Sequence, residues 1–174
     1  MHTLLKISLA SMLLATPTLA QEAGGTLINV DGVEAGMIML TQTEGGVRLT
    51  GGASGITEGE HGIHFHETGN CDAAAKFESA GGHFNPADHQ HGLENPEGPH
   101  AGDLPNITAT AEGLTEFDLT TSTVSLVEGE DGYVYDEDGT AVIIHAAADD
   151  QVTDPSGNSG DRVLCAVIEP APAP

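Results

Sequence analysis

Seven of the nine histidines in this chain fall between His61 and Asp103, in the run HGIHFHETGNCDAAAKFESAGGHFNPADHQHGLENPEGPHAGD. A segment so rich in Gly, Pro, Asn and Asp reads as loop, and imidazoles at that density predict a metal centre built on it. His64 and His66 are two apart on a predicted strand, which puts both rings on one face. His61, three before His64, faces the other way on a regular strand and is not expected to share their ion. His83, His91, His100 and Asp103 form a three-nitrogen, one-carboxylate set that suits tetrahedral Zn²⁺. His145, far along the chain at the end of a strand, can join His64 and His66 in an imidazole-rich set that suits copper.

The rest of the chain determines what carries this loop. Strands are predicted over 25–30, 33–41 and from 47, with a hairpin turn at Gly45-Gly46 and a bulge or close approach at Gly51-Gly52. Strand signals return from Ile107, run from Leu114 to Leu126, and recur over 140–145 and 163–168. No helical periodicity is visible after residue 20. Short strands separated by turn signals predict an all-β sandwich or flattened barrel. The two long loops, 68–106 and 146–161, carry the histidines and aspartates, which marks them as functional.

Residues 1–20 carry Lys6, an apolar run from Ile7 to Leu14, and small residues ending at Ala20. This pattern predicts a secretory signal peptide and is too short to cross a bilayer. Export implies the periplasm, an oxidising compartment where Cys71 and Cys165 have only each other to pair with; two free thiols are the alternative. Residues 21–170 then form one domain, and the Pro/Ala-rich end, EPAPAP, predicts a disordered tail, placed at 171–174. With 27 acidic residues against four basic ones, nucleic acid and anionic membrane surfaces are excluded as partners, because nothing can neutralise phosphates. The acidity otherwise serves solubility.

The segments EHGIHFHE (60–67), SAGGHFNP (79–86), HG (91–92), HAGDLPN (100–106), IIHAAADD (143–150) and GDRVLCAVIE (160–169) resemble the copper/zinc superoxide dismutase family, in its secreted bacterial branch. The resemblance spans nearly the whole chain after residue 20 and implies an Ig-like Greek-key β-sandwich. It implies copper on His64, His66, His83 and His145, and zinc on His83, His91, His100 and Asp103, with His83 shared. It implies a Cys71–Cys165 disulfide, a catalytic Arg162 beside the copper, and Asp149 bridging a copper-set and a zinc-set imidazole. His61 matches a histidine that bonds only backbone, and His89 matches no ligand. The implied reaction converts two superoxide anions and two protons to O₂ and H₂O₂, with copper cycling, zinc structural and His83 handling a proton. Lys76, in the loop bordering the copper channel, is expected to help attract superoxide into a locally positive funnel. The second long loop departs from the family by having no lysine, which puts efficient steering in doubt. A non-catalytic periplasmic copper/zinc-binding protein on the same fold is the alternative, and monomer and homodimer are both open.

Overall fold

A computed structural model describes residues 21–171; residues 1–20, where a signal peptide is expected, and residues 172–174, where a disordered tail is expected, lie outside the described residues. Ten strands follow in chain order: β1 (Glu22–Asn29), β2 (Glu34–Thr43), β3 (Gly46–Ser54), β4 (Gly59–His61), β5 (Ile63–His66), β6 (Ile107–Ala109), β7 (Leu114–Thr121), β8 (Ala141–His145), β9 (Arg162–Val167) and β10 (Glu169–Pro170). Two single 3₁₀ turns at 73–75 and 78–80 are the only helical pieces among the described residues. All strand pairs are antiparallel, and the main sheet runs β5-β8-β9-β1-β2-β3-β7. β4 and β6 form a separate pair, and β10 pairs with the edge of β1.

Period-two burial in β2 and β3 sends Ile38, Leu40, Val47 and Leu49 inward, while Met37, Met39 and Arg48 face out. The main core packs these residues with Leu27, Ile63, Phe65, Ile144 and Leu164. β5 and β8 are buried on both faces. In β5, Ile63 and Phe65 enter the apolar core, so alternation hands His64 and His66 to the opposite side. A smaller cluster of Phe77, Ala80, Ala141, Ile143 and Cys165 lies beneath the first long loop.

Two expectations change and one narrows to the second of its alternatives. Gly51 and Gly52 sit in unbroken register with both neighbours, so there is no bulge. They mark a close approach instead: a Cβ on Gly51 would lie 2.7 Å from Cζ of Phe117, whose ring covers the gap. The strand expected to reach Leu126 stops at Thr121, and the chain folds back so that Val124, Ser125 and Leu126 are buried. The Gln42 side chain captures this turn by accepting from the Leu126 N–H at 2.8 Å. At the other end, Glu169 and Pro170 are not disordered. They pair with Gly24 and Ala23, and the Ala171 N–H donates to the Glu22 carbonyl at 2.9 Å. Proline is tolerated there because an edge strand does not need its N–H.

Candidate metal centre

Backbone pairing assembles the donors. β5 lies against β8, and the long loop folds back along β5 through single bridges, His64 with Asp103 and His66 with His83. Phe65 is the hinge of this arrangement: its N–H donates to the Gly102 carbonyl and its carbonyl accepts from the Phe84 N–H, both at 2.9 Å. A register shift between Ile144 and His145 ends β8 and places His145 opposite Arg162 of β9.

Two buried donor sets result, with the ligand atoms of each within 4.8 Å of one another: His64, His66, His83 and His145, and His83, His91, His100 and Asp103. His83 belongs to both. In the second set Asp103 Oδ1 lies 2.9 Å from His83 Nδ1, 3.0 Å from His91 Nδ1 and 3.4 Å from His100 Nδ1. Bonds of ~2.0–2.1 Å to a central Zn²⁺ require tetrahedral donors about 3.3 Å apart, so this spacing fits.

The first set has a different signature. Nδ1 of His64 and Nε2 of His66, His83 and His145 are buried with no hydrogen-bond partner. Four such orphans together are costly unless something binds them. The other nitrogen of His83 faces Asp103 in the second set, and in the remaining three rings it is committed elsewhere. His66 Nδ1 donates to the Gly81 carbonyl at 3.0 Å, His145 Nδ1 to the Gly160 carbonyl at 3.1 Å, and His64 Nε2 to Asp149 at 2.6 Å. Each bond consumes the ring's one N–H and leaves the orphan nitrogen as a lone pair, the arrangement a metal ligand needs. Burial lowers His64, holds His66 well below its ordinary value, and pulls His83 to about 4 and His145 to about 3, so these rings are neutral near pH 7.

Asp149 couples the sets, accepting from His64 Nε2 at 2.6 Å and from His91 Nε2 at 3.0 Å. Burial alone would raise its carboxyl, but these hydrogen bonds and the Gln151 N–H keep it below the usual carboxylate range. Gly157 packs so closely here that a Cβ would overlap the Asp149 carboxylate, and its φ of 60° suits glycine. Burial would likewise lower His91, but Asp103 and Asp149 on its two nitrogens outweigh it and carry it up to about 9. Asp103 is held far below its ordinary value against its own burial by hydrogen bonds from His100, His83, His91 and the Gly92 N–H.

A cavity of about 730 Å³ opens onto this centre, with His66, His83, His145 and Arg162 in its lining. Arg162 is fixed by two 2.7 Å hydrogen bonds, Nη1 to the Phe77 carbonyl and Nη2 to the Gly81 carbonyl. The loop supplying those carbonyls is tied down by the Cys71–Cys165 disulfide, which spans 94 residues. Lys76 also lines the cavity, but so do Glu67, Glu78, Asp88 and Asp161. The protein side chains of the mouth therefore carry four carboxylates against two cations, and the locally positive funnel expected there depends on the metals as well as on Lys76 and Arg162.

The copper/zinc superoxide dismutase family description matches residues 34–168. The chain belongs to that family. A copper/zinc superoxide dismutase of Aquifex aeolicus is 42% identical over 161 residues, covering 91% of this chain and 94% of that one. One from Caulobacter vibrioides is 42% identical over 142 residues and 80% of each chain. A solved structure of a double mutant of a superoxide dismutase-like protein from Bacillus subtilis superposes with a TM-score of 0.79. It is 41% identical and covers 83% of this chain and 95% of that one. Family membership implies copper and zinc as the metals.

The remaining singled-out residues of this superoxide dismutase homologue fall outside both donor sets. His61 is buried in β4, with Nδ1 2.7 Å from the His145 carbonyl and Nε2 2.8 Å from that of Thr57. His89 is exposed, with Nδ1 3.1 Å from the Pro99 carbonyl. Two contributors were missed in the sequence. Asn106 clamps the Asp149 backbone, Nδ2 to its carbonyl and Oδ1 from its N–H, both at 2.8 Å. Asp154 accepts from the His91 N–H at 2.7 Å and lies 3.7 Å from His100 Nε2. Asn106 sits in the HAGDLPN segment and could have been singled out there; Asp154 lies in a loop whose composition gives no such signal.

Proposed function

We propose that this chain is a superoxide dismutase that converts two superoxide anions and two protons to O₂ and H₂O₂. His64, His66, His83 and His145 would hold copper; His83, His91, His100 and Asp103 would hold zinc. The observation that carries this reading is the set of four orphaned imidazole nitrogens beside an immobilised arginine. Copper, when bound, supplies a one-electron couple, while zinc has no redox chemistry and supplies charge and geometry.

The chain's own residues do the rest. Arg162 is permanently charged, and with its guanidinium held by two carbonyls it faces the cavity as a fixed anion-binding fork. His83 directs Nδ1 at the zinc set and Nε2 at the copper set, so it serves both only when stripped of its N–H protons. Its Nε2 would therefore take up and release a proton only when that nitrogen is free of metal. Asp149 fixes the tautomers of His64 and His91, and Asn106 fixes Asp149. His61 bonds backbone only and acts by locking the end of β8. Lys76 offsets part of the acidic mouth and draws superoxide inward.

The functional unit is the domain 21–170, delivered to the periplasm after loss of 1–20. No helix of the described residues is long and apolar enough to cross a membrane. The test is metal analysis combined with superoxide consumption on protein loaded with both metals. One copper and one zinc per chain with rapid superoxide removal supports the proposal. Full metal loading without superoxide removal would establish the alternative, a metal-binding protein on the same fold.

A further inference from the structure

Between residues 21 and 171 the chain has two methionines, Met37 and Met39. Neither is in the core: both lie on the outer face of β2, 63% and 51% exposed. They are two residues apart, so their side chains leave the sheet in the same direction about 6.6–6.8 Å apart. Their neighbours are small. Met37 is flanked across the sheet by Thr26 and Gly52, and Met39 by Gly24 and Thr50. Glycine at one cross-strand neighbour of each places no side chain between these long, flexible thioethers and the adjoining strand.

The same rows end in carboxylates. Gly52 is opposite Glu116 of β7, and Thr50 is opposite Asp118. Asp118 is committed to Arg48, with contacts of 2.6 and 2.7 Å. Glu116 makes no ion pair among the described residues, and its Cγ would be 3.7 Å from a Cβ on Gly52, so it leans along the row toward Met37. A shallow cavity of about 530 Å³ lies between the methionines and this carboxylate.

We propose that Met37, Met39 and Glu116 form a surface site for a soft monovalent cation, Cu(I) by chemical class. Thioethers select Cu(I) over zinc or calcium, and a carboxylate adds charge attraction to two neutral sulfurs. The site is separate from the buried histidine sets and shares no residue with them. It does not depend on the proposed enzymatic activity. Its place would be to capture reduced copper on the outside of the barrel.

The test uses protein already loaded with copper and zinc and labelled with ¹³C-methyl methionine. Ag(I) serves as a redox-inert stand-in, and Cu(I) is competed anaerobically against bicinchoninate. The expected result is one further equivalent bound, with the Met37 and Met39 methyl resonances shifting together. Met37→Leu/Met39→Leu should weaken binding at least tenfold while preserving the fold, since both side chains are on the surface. Glu116→Gln should weaken it severalfold. Unchanged binding in the double variant overturns the proposal. So do methyl resonances that ignore Ag(I) and shift only with protein concentration, which would make the patch a contact between copies of this chain.

Discussion

Removing the Cys71–Cys165 disulfide tests how the chain holds its arginine. The bond closes a separation of 94 residues, and the chain-entropy relation puts its loss at about 4.7 kcal/mol at 25 °C. With a urea dependence of about 2 kcal/mol/M for a domain of this size, the metal-free Cys71→Ser/Cys165→Ser variant should unfold roughly 2.4 M earlier in urea. The local consequence is smaller. Phe77, from the same loop, is fully buried with Ala80 and Ile143, and that burial holds the loop down by about 1.5–3 kcal/mol once the covalent tie is gone. The Phe77 and Gly81 carbonyls therefore stay near Arg162, and the metal-loaded variant should keep superoxide-consuming activity within about tenfold of wild type. Adding Phe77→Ala costs a further ~3–5 kcal/mol and removes the second anchor. Activity should then collapse in the triple variant while Phe77→Ala alone, with the disulfide intact, is mild. Urea titration followed by circular dichroism and a superoxide-consumption assay read both effects. A midpoint change under 0.5 M would refute the entropic argument. Complete loss of activity on removing the disulfide alone would refute the role given to Phe77.

Stability of the metal-free protein should peak near pH 6.5. Below that, unfolded histidines bind protons that His83 and His145 refuse until about 4 and 3, so stability falls with pH. Above it, the proton held by His91 is lost as pH rises through about 9, and its contribution goes with it; thermal melts across pH 4–10 would show a bell, and a monotonic profile would contradict these assignments. Asp149→Ala should weaken metal binding by about 10–100-fold at each set, since one carboxylate orients a ring in both, measured by chelator competition. Added salt should speed superoxide removal by screening a protein of formal charge −23. Lys76→Ala should slow the reaction and steepen that salt response; an equal response in both proteins would deny the lysine a steering part.

The donor histidines were legible because β-strand alternation and loop composition leave local signatures, as with His64 and His66 against Ile63 and Phe65. His61 was set aside by parity for a reason that is only partly right. It lies on a separate strand, β4, that ends before Gly62, so its orientation is fixed by two carbonyls and not by continuous alternation. The hold on Arg162 was not legible, because it is made by the carbonyls of Phe77 and Gly81, which every residue type possesses. The acidic rim of the mouth was not legible for a related reason. Glu67, Glu78, Asp88 and Asp161 are spread over nearly a hundred residues and meet only when the sheet curls. The ordered Glu169–Pro170 strand was hidden by Pro/Ala composition, which describes the tail's own preferences and says nothing of the open edge of β1.

The two donor sets differ in how much chain they need. His83, His91, His100 and Asp103, the set proposed for zinc, lie within one short stretch and can come together when a single loop folds on itself. His145 reaches the other set only after β8 has docked between β5 and β9. Loop closure costs grow with length and non-local pairing comes late in folding. The topology predicts an order of assembly: the set proposed for zinc forms first and positions His83, and the set proposed for copper is completed only by the last strands of the sheet.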